Sequence, residues 1–493
     1  MLTGCTIPEE LTSNPDTSAA SESSNGSTLA TDTATETAEE AETGSKTSAA
    51  SESTKSASAT EAATDTATET TEKAESGSET SETSENSTGS TSANASVSGS
   101  ETSAASENST ASTSANETVS GPTISATSKA ITGSTPKQDG FRMPGEFEEQ
   151  EKIWMIWPER PDTYRDGAKP VQETFVNLAT TIAEFEPVTM LVSNEQYENA
   201  RARLPEHIQV LEMSNNDCWA RDTGPTFIVN DKGEIRACDW TFNSWGGLVD
   251  GLYFPWDKDD KVAQKICELE GIQRYRTEGF VLEGGSIHAD GEGTLLTTEM
   301  CLLSEGRNPK MSKEQIEDKL KEYLNLEKII WIKDGIDPEE TNGHVDMVAC
   351  FVRPGEVACI WTDDPKHPFY EVCQSAYKTL SEATDAKGRK LKVWKLTMTK
   401  NPVYQQGAET LDLSATTAAR KNGSICDASY MNFLIVNGGV IVPQYGDEYD
   451  SLALEQIQEM FPDRKVVGVQ TTELIYGGGN IHCVTQHQPA VKK

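Results

Sequence analysis

Apolar and polar positions alternate with structure only in the later part of the chain. From Phe141 onward, short apolar runs are interleaved with segments whose apolar residues recur every three or four positions. "KIWMIWP" (152–158) is a run closed by proline, the pattern of a buried strand. After Pro170, "VQETFVNLATTIAEF" (171–185) predicts a helix, and "VTMLVS" (188–193) a strand. Further strands are predicted at 226–230, 294–298, 328–332, 345–352, 357–361, 432–436 and 439–443. Helices are predicted at 313–324 and 451–461. Strands alternating with helices predict an α/β fold.

A coarser period overlies this pattern. "GGSIH" (284–288) is echoed by "GGNIH" (478–482). Asp222, Glu283, His344 and Cys483 each stand at the edge of a strand-like run. The first two gaps, 283−222 and 344−283, are 61 residues each, and 483−344 is 139, about two further units. One unit per landmark and one silent unit make five, which around an axis would aim their strand ends at one centre.

Composition separates the first stretch from the rest. Residues 1–136 are almost all Ser, Thr, Ala, Glu, Asn and Gly, with no aromatic residue. They repeat "TSAASES" and "ATDTATET" without hydrophobic periodicity. So little apolar surface does not offset backbone entropy, and a disordered acidic tether is expected ahead of a folded domain at 137–493. The opening "MLTGC" matches the end of a lipoprotein signal, although the basic and apolar parts that should precede Cys5 are not in the sequence. A lipid anchor at Cys5 with the tether as stalk is one expectation for location; the cytoplasm is the other. No run of about 20 apolar residues predicts a transmembrane helix.

The formal charge of −37 argues against nucleic acid as a partner, since phosphates require a basic footprint. It suits a small cationic substrate, or simply a soluble surface. The ten cysteines include no C-x-x-C pair and no His/Cys spacing of a zinc site, so no such metal site is expected and most cysteines should be core residues.

Cys483 is the exception, because three glycines at 477–479 strip side chains from the backbone just before it. Were the segment extended, His482 would point away from Cys483 and serve structure. A nucleophilic thiol needs a proton-transfer partner. "NGHVDMV" (342–348) offers His344, with Asp346 two residues on and on the same side if the segment is a strand. Asp222 and Glu283 add carboxylates at strand ends. One thiol, one imidazole and three carboxylates suit a guanidinium, which is planar, permanently cationic and bound bidentately by acids.

"WPERPDTYRDGAKP" (157–170), "WARDTGPTF" (219–227), "EGGSIH" (283–288), "NGHVD" (342–346) and "GGGNIHCVTQ" (477–486) together resemble the agmatine deiminases, of the peptidylarginine-deiminase-like branch of the guanidino-modifying superfamily. The resemblance spans about Met143 to Pro489. It implies a five-bladed pseudo-symmetric α/β propeller of ββαβ units. It implies Cys483 as nucleophile, Asp222 and Asp346 as guanidinium ligands, His344 as general acid/base, and Glu283 binding the guanidinium and orienting His344. Agmatine would yield N-carbamoylputrescine and ammonia without a cofactor, in putrescine synthesis. By the same resemblance Glu340 faces the distal ammonium and Trp219 packs on the methylene chain. Deimination of free or peptidyl arginine, or a surface-tethered binding protein with a relic enzyme core, are the alternatives. Homo-oligomerisation is left open.

Overall fold

The computed structural model describes residues 129–336 and 339–491. Cys5 and nearly all of the expected tether lie outside the described residues. Backbone pairing reaches back to Ile131, whose N–H donates to Arg274 O, ahead of Lys137.

The fold is a mixed α/β assembly of several small sheets built on one repeated plan. The chain enters through β1 (Gln150–Ile156), α1 (Lys169–Ile182), β2 (Val188–Val192) and β3 (Gln209–Glu212). Four units follow. They are β4 (Thr226–Val229), β5 (Ile235–Thr241), α2 (Val262–Glu270) and β6 (Gln273–Val281); and β7 (His288–Ala289), β8 (Thr294–Thr298), α3 (Lys313–Leu324) and β9 (Lys328–Ile332). Next come β10 (Ala349–Arg353), β11 (Glu356–Trp361), α4 (Tyr370–Glu382) and β12 (Lys392–Thr397). Last are β13 (Leu434–Val436), β14 (Gly439–Gln444), α5 (Asp450–Met460) and β15 (Lys465–Gln470). The final strand β16 (Thr485–Pro489) returns to pair antiparallel with β1.

In every sheet an antiparallel pair is followed by a parallel partner reached across a helix, as a parallel neighbour requires. Helix α4 packs on β9, α5 on β12, and α1 on β15. These helices α4 and α5 lean on the last strand of the preceding unit, and the first helix leans on the last unit.

Local sequence explains the elements. Helix α3 begins at a Ser312/Gln315 capping box, buries Ile316, Leu320 and Leu324 on one face, and ends at Asn325 with φ 56°. Strand β14 is buried along its whole length, as its continuous apolar run predicts.

One predicted strand is corrected. Over 345–352 only Ala349 onward is strand; Val345–Met347 form a 3-10 turn. Asn342 and Gly343, both at positive φ, bend the entering backbone.

Candidate active site

Each candidate side chain lies on the segment that leads into the first strand of a sheet. Asp222 is on the helical turn Ala220–Thr223 before β4. Glu283 precedes the turn Gly284–Ser286 and β7. His344 and Asp346 flank Val345 before β10, and Cys483 sits in a turn before β16. The unit expected to be silent contributes Asn432, just ahead of β13. Its Oδ1 accepts from the N–H groups of His482 (3.0 Å) and Cys483 (3.4 Å) and lies 3.4 Å from Cys483 Sγ.

The five expected residues come together, all buried. Cys483 Sγ is 3.6 Å from Asp346 Oδ2. His344 Nδ1 is 3.9 Å from Asp222 Oδ1, and its Nε2 is 3.5 Å from Glu283 Oε2. Asp222 is fixed by the indole N–H of Trp245 (2.9 Å) and the backbone N–H of Gly285 (2.9 Å). Glu283 faces Arg307 Nε at 2.8 Å, both side chains fully enclosed. Arg307 also donates to Thr341 O at 2.8 Å, joining the Glu283 segment to the loop that carries His344.

Gly285 makes this convergence physically feasible. A Cβ there would lie 2.6 Å from His344 Nδ1, 2.9 Å from Asp346 Oδ2 and 3.0 Å from Asp222 Oδ1. At Gly479 a Cβ would strike the Trp219 ring at 2.4 Å and Cys483 Cβ at 3.3 Å. The bare backbone before the cysteine lets an aromatic ring and the thiol share one wall.

Two expectations about side-chain direction need correction. The 481–484 segment is a turn rather than extended backbone, so strand alternation does not separate His482 from Cys483. Both reach Asp346: His482 Nδ1 is 2.8 Å from the same Oδ2 that faces the thiol. His344 and Asp346 also converge from a turn, not along one face of a strand.

Burial and neighbouring charge set the electrostatics. Burial raises the Cys483 thiol, and the carboxylates of Asp346 and Asp222 push it further, well above its ordinary value. Burial opposes charge on His344, yet Asp222, Cys301 and Glu283 together hold its pKa well above the usual imidazole range. Burial would raise Glu283, but Arg307 and His344 bring it below its ordinary value. Burial would likewise raise Asp346, and His482 outweighs it, so that carboxyl is lowered. Asp222 is raised, by burial and by the acids beside it.

Trp219 is buried, edge-on to Trp245 with ring centroids 6.1 Å apart. Glu340 lines a cavity of about 490 Å³ with Arg420, Asp427 and Gly478. It accepts from Arg420 Nε at 2.9 Å, so this carboxylate is already paired with a guanidinium. Sequence reasoning passed over Asn432, Trp245 and Arg307, none of which carries a motif signal. Among the described residues two groupings are close enough to bracket an ion, Glu146–His288–His482 and Glu283–Cys301–His344. Each contains a carboxylate with an arginine against it, Arg221 or Arg307, which disfavours a second cation there.

Fold and site define an α/β protein with a thiol, an imidazole and several carboxylates enclosed where its small sheets begin. Residues 142–489 match the Porphyromonas-type peptidyl-arginine deiminase family, and the chain belongs to it. A relative from Lactococcus lactis subsp. lactis (strain IL1403) is 69% identical over 357 residues, 72% of this chain and 98% of the relative. The agmatine deiminase of Pseudomonas aeruginosa (strain LESB58) is 53% identical over 361 residues, 73% of this chain and 98% of that protein. The solved agmatine deiminase of Enterococcus faecalis superposes with a TM-score of 0.73 at 66% identity, covering 73% of this chain and 99% of its own.

Proposed function

We propose that this enzyme hydrolyses the guanidino group of agmatine to N-carbamoylputrescine and ammonia, a step towards putrescine, with Cys483 as covalent nucleophile. The observation that carries the reading is the enclosed constellation at Gly285, where Asp222, His344 and Asp346 meet within reach of Cys483. The repeated sheets, read as five blades of a propeller closed by the β1–β16 pairing, would put five strand entries around that centre.

The guanidinium lies between Asp222 and Asp346, whose Oδ1 has no hydrogen-bond partner among the described residues. Arrival of the cation favours loss of the thiol proton to solvent. Sulfur bonds to the guanidinium carbon, giving a tetrahedral adduct. The C–N bond breaks as the departing nitrogen takes a proton from His344, leaving as ammonia and an S-alkylthiouronium. Water gives a proton to His344 and adds to the same carbon. The C–S bond breaks to regenerate thiolate, and the added hydroxyl forms the C=O by releasing its proton to solvent, where ammonia takes it up as ammonium. Proton transfer of this kind contributes about 10²–10⁴-fold.

The Glu340–Arg420 cavity would receive the aminobutyl arm, its size within the range of small-molecule sites. Ammonia release from agmatine, free arginine and an arginine peptide tests the assignment. Agmatine should have the highest kcat/KM; equal or better use of either arginine substrate would overturn it.

A further inference from the structure

Behind Asp346 lies a second buried charge centre that the chemistry above does not use. His482 sits between two carboxylates: Nδ1 is 2.8 Å from Asp346 Oδ2, and Nε2 is 2.9 Å from Glu146 Oε1. Neither carboxylate oxygen offers a proton when ionised, so both ring nitrogens must donate, and His482 is an imidazolium. Glu146 comes from the loop ahead of β1, 336 residues away in sequence, and it also accepts from Arg221 Nη1 at 2.9 Å.

Two further histidines and a thiol pack around His482. His288, its ring centroid 6.3 Å away, accepts from Phe351 N–H through Nδ1, which leaves Nε2–H for Glu146 at 3.3 Å. His487, also at 6.3 Å, accepts from Arg221 Nη2 at 2.8 Å and donates to Ile435 O at 3.0 Å. Its pKa is accordingly lowered, to about 3, by burial and Arg221 despite Glu146. Burial, Glu146 and Asp346 hold the Cys350 thiol well above its ordinary pKa. Past Asp346 stand His344, Asp222 and Cys483.

We propose that Glu146 is a positioning residue: by keeping His482 doubly protonated, it holds Asp346 ionised, with one oxygen tied back and the other aimed at the substrate. This rests on the proposed role of Asp346 as guanidinium ligand. The directions of the surrounding shifts agree, since burial and the Arg221 guanidinium oppose charge on His482 but Glu146 and Asp346 outweigh them and raise its pKa, while His482 lowers that of Asp346.

Glu146→Gln tests it with little change of shape. The amide N–H₂ of glutamine can donate to ring Nε2, so His482 becomes neutral while still donating to Asp346. In the wild-type enzyme, ¹⁵N-histidine NMR should show His482 as imidazolium up to pH 8. There are six histidines, and His482→Gln assigns the signal. In Glu146→Gln the signal should be neutral at pH 8. The acid limb of kcat/KM for agmatine should move up by about one pH unit, a tenfold loss below the limb, as expected for removing one neighbouring cation. Glu146→Asp should restore the imidazolium signal and most of the wild-type profile.

A neutral His482 in the wild-type enzyme at pH 8 overturns the proposal, and this arm holds even if Glu146→Gln does not fold. A variant that only melts earlier, with its pH profile unmoved, also overturns it and leaves Glu146 a structural residue. Failure of the wild-type enzyme to use agmatine would instead remove the substrate assignment, and the NMR arm would still report the Glu146–His482 coupling.

Discussion

Gly285→Ala adds one methyl group at the meeting point of the candidate site. The new Cβ would stand 2.6 Å from His344 Nδ1, 2.9 Å from Asp346 Oδ2 and 3.0 Å from Asp222 Oδ1, whereas ordinary contact begins near 3.4 Å. None of the three is a loose side-chain tip. Asp222 is held by Trp245, Asp346 by His482, and His344 is enclosed between Asp222 and Glu283. Gly285 is not among the residues at positive φ, so alanine brings no backbone strain and the effect is steric. Overpacking of this kind costs about 1–3 kcal/mol of stability. That corresponds to a fall in Tm of a few degrees. Function should suffer more, because a displacement of about 1 Å at reacting groups costs about 10²-fold. The expected result is a folded variant whose kcat/KM for agmatine falls at least about 100-fold. A folded Gly285→Ala enzyme within threefold of wild type would refute the placement of the guanidinium among these groups.

Cys483→Ser should lose turnover yet still bind agmatine by calorimetry, because the carboxylates remain, whereas Asp346→Ala should lose both; near-normal turnover by the serine variant would end the covalent scheme. Because burial, Asp346 and Asp222 raise the Cys483 thiol, iodoacetamide should inactivate the free enzyme slowly at pH 7 and faster as pH rises; a rate already on its plateau at pH 7 contradicts this. Away from the site, burial raises Glu186 from 4.5 to about 7. The folded state therefore keeps a proton that the unfolded chain has released, and stability falls as pH rises from about 4.5 to about 7. At 1.36 kcal/mol per unit this loss is about 3 kcal/mol. Glu186→Gln should flatten that part of the pH dependence in urea titrations at pH 5 and 8, and an unchanged dependence would show that Glu186 ionises normally.

The apolar strands and three amphipathic helices were legible because their signals are local. Helix α3 was predicted with the bounds it has, since the Ile316/Leu320/Leu324 stripe lies within it and its Ser312 cap directly precedes it. Strands β5 and β6 were not found, because charged residues interrupt their apolar pattern. Arg276 pairs there with Asp239 at 2.8 Å, and Arg274 also pairs with Asp239, so the charges are neutralised across strands that sequence does not show as neighbours. The same limit applies at the site. Cys483, His344 and the three acids stood out beside glycines and strand ends. Asn432, Arg307 and Glu146 act through contacts with distant segments; Glu146 lies in an acidic run, "EFEEQE", that reads as solvated surface.

Charge explains why these hidden residues accompany the visible ones. The buried site gathers four carboxylates: Glu146, Asp222, Glu283 and Asp346. Against them stand Arg221, Arg307, the His482 imidazolium demanded by its two acceptors, and His344, whose pKa is held high. With the thiol protonated the sum is zero, the state that costs least to enclose. On the proposed chemistry, a guanidinium enters with one positive charge and the thiol becomes thiolate, so the sum is again zero. The acids that suppress the thiolate in the empty site are also those that attract the cation. On that proposal the nucleophile would be activated by the group it attacks, and His344 would retain the proton that the departing ammonia takes. Removing Arg221 or Arg307 from this balance would leave a buried negative charge uncompensated, which is why residues without chemistry of their own belong to the same unit as the cysteine.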